Sequence, residues 1–436
     1  MKTLIKLIIA VCLVNLSCTQ QTIQHESKQS QIDQIAESYI KLVLAIGKYD
    51  TDFVDSYFGP PEWKEQAEAQ KIPLEDIRSK VMHTKEELNT INISKLNDTE
   101  RMRVRFIDKQ LDSVMIRVDI LSGVKMKYDE ESAALYDTVM QDYPDSYFDA
   151  QLSNVSSFIP GTGTIRERID KYRQRLAVPK NKIEPVFRAA LQEARLRTRK
   201  HIQLPDDENI QIEFVSGKPW SAACQYKGNN QGFIQINTDF PYSIEDLLKL
   251  ACHEGYPGHH VSHLLLDNRL NRERGWREFS IAPFPSTIMF IMEGTAEYAL
   301  ELAFPTTERI AFERDVLYPL TGMDPTLAEN NVKLYEAKIM DVGSEAVPIA
   351  IRRYMEGVTG PSETIQWLKS HTLIRLPPEE MFLPAMKQFG TLIICYSKGY
   401  DCVKHSIEKQ VGEDREKQWR EFERIQVPPG IPSDLR

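Results

Sequence analysis

The sequence predicts a mainly α-helical fold with one small β-sheet placed directly before a histidine-bearing helix. Three observations lead there. Apolar residues recur at a helical period over long stretches before residue 200 and after residue 286. Between residues 210 and 238 the pattern changes to alternation, the period of a half-buried strand. Immediately afterwards, four of the nine histidines fall in the eleven residues from His253 to His263, a concentration that points to a site rather than to chance placement. A chain of 436 residues, 42% hydrophobic, can bury the large core such a fold needs.

Taken in order, the N-terminus is set aside first. Lys2 and Lys6 accompany an apolar run, Leu7 to Val14, that is too short for a comfortable membrane span. Residues 1–17 therefore read as a secretory signal peptide. Ser17-Cys18 resembles the boundary at which bacterial lipoproteins are cleaved and acylated. Cys18 is thus the expected lipidation site, and the cell envelope the expected location, with secretion as the alternative. Residues 18–31 are polar and read as the anchor and flexible tether. Loss of Lys2 and Lys6 moves the formal charge from −9 to −11, an acidic balance that argues against a nucleic-acid partner. The remaining chain, 32–436, is expected as a single helical catalytic domain. It divides into an N-terminal helical part (32–205), a metal-site core (206–305) and a C-terminal helical part (306–436). Cys224, Cys252, Cys395 and Cys402 are widely spaced and read as core thiols.

Within that unit, Ile32, Ile35, Tyr39, Leu42 and Leu44 approximate a 3.6-residue period, as do Met102, Phe106, Leu111 and Met115. Tyr57-Phe58-Gly59-Pro60-Pro61 is a break. Ile183 to Ile202 reads as a basic amphipathic helix with a solvated face. Ile210–Val215 and Phe233–Thr238 are strand candidates separated by the turn residues Gly228-Asn229-Asn230. The second of them is also a candidate edge for an extended peptide. Ser243 is the expected N-cap of a helix whose apolar residues Ile244, Leu247, Leu248 and Ala251 lead into His253-Glu254. Residues 286–304 and much of 306–424 again read helical.

The chemistry lies in His253-Glu254-Gly255-Tyr256-Pro257-Gly258-His259-His260. Neutral imidazoles bind Zn²⁺ without cancelling its charge, and an adjacent carboxylate can take a proton from an activated water. In a continuous helix the partner of His253 would be at i+4, but that position is Pro257. If Pro257-Gly258 is looped out, His259 takes the ligand position. If the helix only kinks, His260 shares the face of His253, about 10.5 Å away along the axis. A His259/His263 pair is a third arrangement. The looped-out geometry is the preferred expectation, with His260 behind the ligands or as the alternate. The third ligand is expected from Met292-Glu293-Gly294-Thr295-Ala296-Glu297, 33 residues after His260: Glu293 on the metal, Glu297 one turn later holding a ligand imidazole by its free N–H.

This constellation, His-Glu-x-x-Pro-Gly-His-His followed by Glu-Gly-x-Ala-x-Tyr-Ala, resembles the bacterial family designated DUF885, whose members are often lipoproteins and are similar to gluzincin-type zinc peptidases. The resemblance is strongest over residues 218–301, and Tyr396-Ser397-Lys398-Gly399 resembles a further Tyr-x-x-Gly of that family. It implies a large helical metallopeptidase-like fold with a central cleft, one Zn²⁺ ion and a hydrolase role. Thr295, Glu297, Leu300 and Val261-Ser262-His263 depart from the family pattern. The expected mechanism uses Glu254 as general base and Tyr396, or else Tyr400, as a donor to the oxyanion. The expected substrate is a peptide or small amide, and the membrane is met through the N-terminal lipid. Arg375 is a weaker candidate for gripping a substrate carboxylate. A metal-dependent amidase or esterase, and a binding lipoprotein with a structural metal, are the alternative readings.

Overall fold

The helical periods read from the sequence are realised as helices packed about one deeply buried helix, Thr287–Ala303, in which only Glu297 and Glu301 escape full burial. A helix apolar on every side belongs in the middle of a fold. In this computed structural model it packs against the segments Ala251–Gly255, Cys395–Gly399, Tyr400–Val411 and Arg415–Gln426. The structure describes residues 31–435 apart from 157, 160, 219, 337–342, 375–381, 383–385, 387, 388, 428 and 429. The expected signal segment, Cys18 and Arg375 lie outside the described residues.

The flanking helices follow their sequence signals. The first, residues 31–46, buries Ile32, Ile35, Tyr39, Ile40 and Val43 on one face. Asp98–Leu121 begins at Asn97, whose side chain caps the Glu100 amide while Glu100 returns to the Asn97 amide; its apolar stripe Phe106, Ile107, Leu111, Val114 and Val118 is buried. The basic helix ends at Thr198, with Val186, Phe187, Ala190, Leu191 and Ala194 inside. One contiguous hydrophobic cluster runs from Ile32 to Leu435, with a smaller one around Leu152, Ile159, Ile169 and Leu373. The four described cysteines are free thiols. Among the described residues no helix is long and apolar enough to cross a membrane.

Among the described residues, five strands form two sheets. β1 (Val54–Tyr57) pairs antiparallel with β5 (Ile281–Pro283). β2 (Asn209–Val215), β3 (Ala222–Tyr226) and β4 (Gln231–Asn237) make a sheet of order β2-β4-β3, with β2 parallel and β3 antiparallel to β4. β2 and β4 stand where alternation places them. β3 carries no alternating pattern and was silent in the sequence; the Gly228-Asn229-Asn230 turn, with φ of 75°, 51° and 62°, folds it back onto β4. This corrects the expectation that Phe233–Thr238 offers an edge to a peptide. β4 is the middle strand, with both sides paired, and the two edges belong to β2 and β3.

Candidate metal centre

The histidine segment is built from a helix that stops and restarts. Ser243 accepts a hydrogen bond from the Asp246 amide, and the Asp246 carboxylate accepts one from the Ser243 amide, fixing the start of Ile244–Leu250. The helix then widens into a π-helical turn, Ala251–Gly255, that carries His253 and Glu254, a backbone form frequent at functional sites. Tyr256-Pro257-Gly258 breaks the run, and a new helix begins at His259 and continues to Leu265. The Gly258 amide donates to the Cys252 carbonyl at 2.9 Å. A Cβ at position 258 would overlap the His253 carbonyl oxygen, so only glycine permits this return. Pro257-Gly258 is thus looped out, and His259 faces His253.

Three ligand-type atoms converge. His253 Nε2 lies 3.1 Å from His259 Nε2 and 3.4 Å from Glu293 Oε2, and His259 Nε2 lies 3.6 Å from the same oxygen. Metal bonds of about 2.0–2.1 Å in tetrahedral directions set donor atoms about 3.3–3.4 Å apart, so the triangle matches three vertices around one ion. Glu293 Oε2 is buried and meets no hydrogen-bond partner within ordinary distance among the described residues, which leaves it able to ligate a metal. The residues therefore fit the group.

Behind the triangle, the other nitrogen of His253 lies 3.3 Å from Glu297 Oε1, and Lys249 Nζ holds Glu297 Oε2 at 2.8 Å. The charges reinforce one another. Burial alone would raise the pKa of Glu293 and of Glu297. The imidazoles at Glu293, and Lys249 with His253 at Glu297, outweigh it and hold each at about 2. Burial would lower the His253 pKa, but Glu293, Glu297 and Glu254 push it up to about 10. A metal entering the triangle must displace that proton.

Glu254 is buried beside the triangle, its pKa raised by burial and by Glu293 and Glu297, with His253 and His259 opposing. Tyr396 stacks on His253 with ring centroids 6.3 Å apart. Its hydroxyl is held above the usual phenol range by burial and by the charges of Glu293, Glu254 and Glu297. Tyr400 points elsewhere, donating to Glu301 and accepting from Lys404 at 3.1 Å. Tyr396 owes its position to a backbone contact. A Cβ on Gly399 would lie 2.7 Å from the Phe290 carbonyl oxygen and 3.1 Å from Cα of Gly294, so the Cys395–Gly399 turn lies directly on the Glu293 helix. Tyr396, Glu297 and Lys249 also line a cavity of about 1100 Å³ that extends past Glu301, Phe304, Arg309 and Lys404 to Phe158.

The other two histidines of the restarted helix go elsewhere. His260 is fully buried and meets Glu208 at 3.0 Å, away from the triangle. Tyr256 and Arg195, the latter at 2.8 Å, complete the Glu208 carboxylate. His260 is therefore neither an alternate ligand nor a support of one. Its position one residue after His259 turns it about 100° around the helix, toward β2 and β4. His263 stacks on Tyr226 at 5.9 Å and meets Phe58 edge-on at 6.4 Å, which removes the His259/His263 pairing. One residue was missed by the sequence reading: Asp55, on β1, whose pKa is pushed up to about 6 by burial, with Glu293 and Glu254 adding and His259 opposing. Nothing in the local pattern marks it, because only the pairing of β1 with β5, more than 200 residues later in sequence, carries it to the site.

No protein-family model matches the chain, and no curated protein matches its sequence. Among solved structures, the chain is similar to a protein described as a lipoprotein from Colwellia psychrerythraea (TM-score 0.47, 13% identity), covering 82% of this chain and 65% of that one. It is similar to an M32 carboxypeptidase from Deinococcus radiodurans R1 (TM-score 0.48, 10% identity), covering 93% and 90%. It is also similar to a protein of unknown function described as a lipoprotein from Shewanella oneidensis (TM-score 0.43, 12% identity), covering 84% and 76%. The chain spans just under two thirds of the length of the Colwellia protein.

Proposed function

We propose that this chain is an exported, lipid-anchored zinc hydrolase that cleaves peptide bonds. The observation that carries the reading is the triangle of His253, His259 and Glu293, with edges of 3.1–3.6 Å, standing beside a buried carboxylate that ligates nothing. A metal kept for structure has no use for Glu254. Zinc held by these three residues would leave a position open for water, acidify that water and polarise a substrate carbonyl.

The rest is done by the chain's own groups. Glu254 takes the proton of the attacking water and passes it to the leaving amine, a double task suited to a carboxyl group whose pKa burial has raised. Tyr396, kept protonated, donates its hydroxyl hydrogen to the oxyanion. Glu297, anchored by Lys249, fixes the tautomer and direction of His253. The free edge of β3 supports the peptide class. Its Cys224 lies within the electrostatic reach of Glu254 and Asp55, so an extended backbone pairing there is brought to the base. The cavity of about 1100 Å³ exceeds what a drug-sized ligand needs and suits a short peptide.

Glu254→Gln keeps the shape and removes the base. Purified protein should keep one zinc per chain while cleavage of a mixed peptide library falls by roughly 10²–10⁴-fold. Full activity in that variant, or loss of its zinc, would sink the proposed role. Export is checked separately: intact mass of envelope material should show residues 1–17 removed and an acyl mass on Cys18.

A further inference from the structure

Beside the triangle lies a buried ionic network to which the proposed reaction gives no task. Glu208, directly before β2, has a fully buried side chain. Arg195 Nε and Nη2 hold its Oε2 at 2.9 and 2.8 Å, and Nη2 also donates to the Glu208 carbonyl at 3.2 Å. The other oxygen, Oε1, accepts from the Tyr256 hydroxyl and lies 3.0 Å from His260 Nε2. Taking a carboxylate out of water is costly unless its partners are well placed, and here both oxygens are engaged.

What the network holds is the break in the metal-site helix. Tyr256 precedes Pro257-Gly258 and His260 follows them, so one oxygen is met from both sides of the loop-out. The backbone of the break closes on its own neighbourhood. The Tyr256 amide donates to Ala251 at 3.1 Å, the Gly258 amide to Cys252 at 2.9 Å and the Ser262 amide to Gly258 at 3.0 Å. Among the described residues, the hydrogen bond that ties residues 255–258 to a distant segment is that of the Tyr256 hydroxyl to Glu208. The break also lies hard against the helix that carries Arg195, since a Cβ on Gly255 would overlap Leu191 Cδ1.

The two ties to Oε1 are unequal. His260 belongs to a helix with its own backbone hydrogen bonds, and its ring is seated against β4, where a Cβ on Gly232 would overlap it. Tyr256 belongs to no helix or strand; its backbone is extended, with φ −125° and ψ 120°, between two helical segments. The demand on this loop is severe. His253 Nε2 and His259 Nε2 stand 3.1 Å apart across it, and a working site tolerates displacements of only about 0.5 Å.

We infer that Glu208 is a positioning residue of the metal centre: through the Tyr256 hydroxyl it fixes the break, and thereby the spacing of His253 and His259. The inference rests on the metal triangle of the reading above, not on the substrate proposed there.

The test adds Zn²⁺ or Co²⁺ to metal-free full-length protein and follows urea unfolding in parallel. Tyr256→Phe keeps the ring and removes the hydroxyl. Its zinc affinity should fall by roughly 10–100-fold at unchanged stoichiometry, the scale for groups that orient a ligand. Its visible Co²⁺ absorption should change in position or intensity, because those bands report ligand geometry. His260→Ala, with the Tyr256 tie intact, should keep zinc affinity within about threefold and the wild-type Co²⁺ spectrum. Glu208→Ala should lose at least as much affinity as Tyr256→Phe. Glu208→Gln, whose amide oxygen still accepts from the hydroxyl, should recover most of it. Wild-type zinc affinity and Co²⁺ spectrum in Tyr256→Phe, whatever its stability, would make the network a fold contact and overturn the inference while leaving the triangle intact. An equal loss of affinity in His260→Ala would put the hold on the restarted helix and overturn it too. Wild type that takes up neither metal would bring down the triangle and the inference together.

Discussion

The seven-residue helix His259–Leu265 presents histidines to three unlike environments, and the contrast shows what separates a binding histidine from a packed one. His259 looks into a triangle whose acceptor, Glu293 Oε2, faces two imidazole nitrogens at 3.4 and 3.6 Å and no closer donor among the described residues. His260, the next residue, looks into a carboxylate already completed on both oxygens by Tyr256 and Arg195. His263 has no ion pair among the described residues and is enclosed by Tyr226 and Phe58. Burial does not distinguish the three, since all are nearly inaccessible. The completeness of the opposing group does. A saturated carboxylate makes a structural contact, and an unsaturated one facing two imidazoles makes a set of donors spaced to hold one ion.

The largest effect expected from this contrast separates the adjacent pair. His259→Ala should lose stoichiometric zinc and all measurable cleavage, because it removes one of the three proposed ligands. His260→Ala should keep the zinc and instead lower stability by about 2–3 kcal/mol, the scale of a hydrogen bond to a buried charged group. Zinc analysis and urea unfolding of both proteins check this, and zinc loss from His260→Ala would erase the distinction.

A smaller effect is expected behind the ligands. Glu297→Gln keeps a hydrogen-bond acceptor for His253 but weakens its pull and releases Lys249. Zinc affinity should fall by about 10–100-fold, with the binding stoichiometry intact. Competition against a chelator measures this, and an unchanged affinity would make the Glu297–His253 contact incidental.

The smallest concerns His263. Burial, with His259 and His260 adding, pushes its pKa down to about 3. Folding therefore favours its neutral form, against an ordinary value of about 6.5 in the unfolded chain. The stability it contributes is fully present above that value and is lost as pH falls toward 3, by at most about 1.4 kcal/mol per pH unit. His263→Phe suits the aromatic enclosure and should flatten the acid limb of stability between pH 6 and 4. Unfolding curves of the same slope in both proteins would assign that limb to other groups.

Much of this was legible in the sequence because it depends on local signals. The Ser243 cap, the helix leading to His253, the Pro257-Gly258 break and the i to i+4 relation of Glu293 and Glu297 are all short-range, and the triangle follows from them. What stayed hidden depends on pairing between distant segments. β3 has no alternation and exists because a turn returns it to β4. Asp55 reaches the site only because β1 finds β5. The direction of His260 was undecidable from spacing, since it rests on Glu208, 52 residues earlier, being present to receive it.

The contact between Gly294 and Gly399 has a consequence for how such a protein can change over time. Side chains that touch can absorb a substitution by rotating; two backbones in contact cannot. Gly294 adjoins Glu293, and Gly399 closes the turn that carries Tyr396. The spacing between the metal triangle and the tyrosine is therefore set by main chain alone and is insulated from drift elsewhere. Of the cavity lining, exposed Phe158 can vary without shifting that spacing, whereas Phe304 and the ion-paired Arg309 are themselves buried. Substitutions should accumulate at exposed positions such as Phe158, while these two glycines tolerate no second residue type.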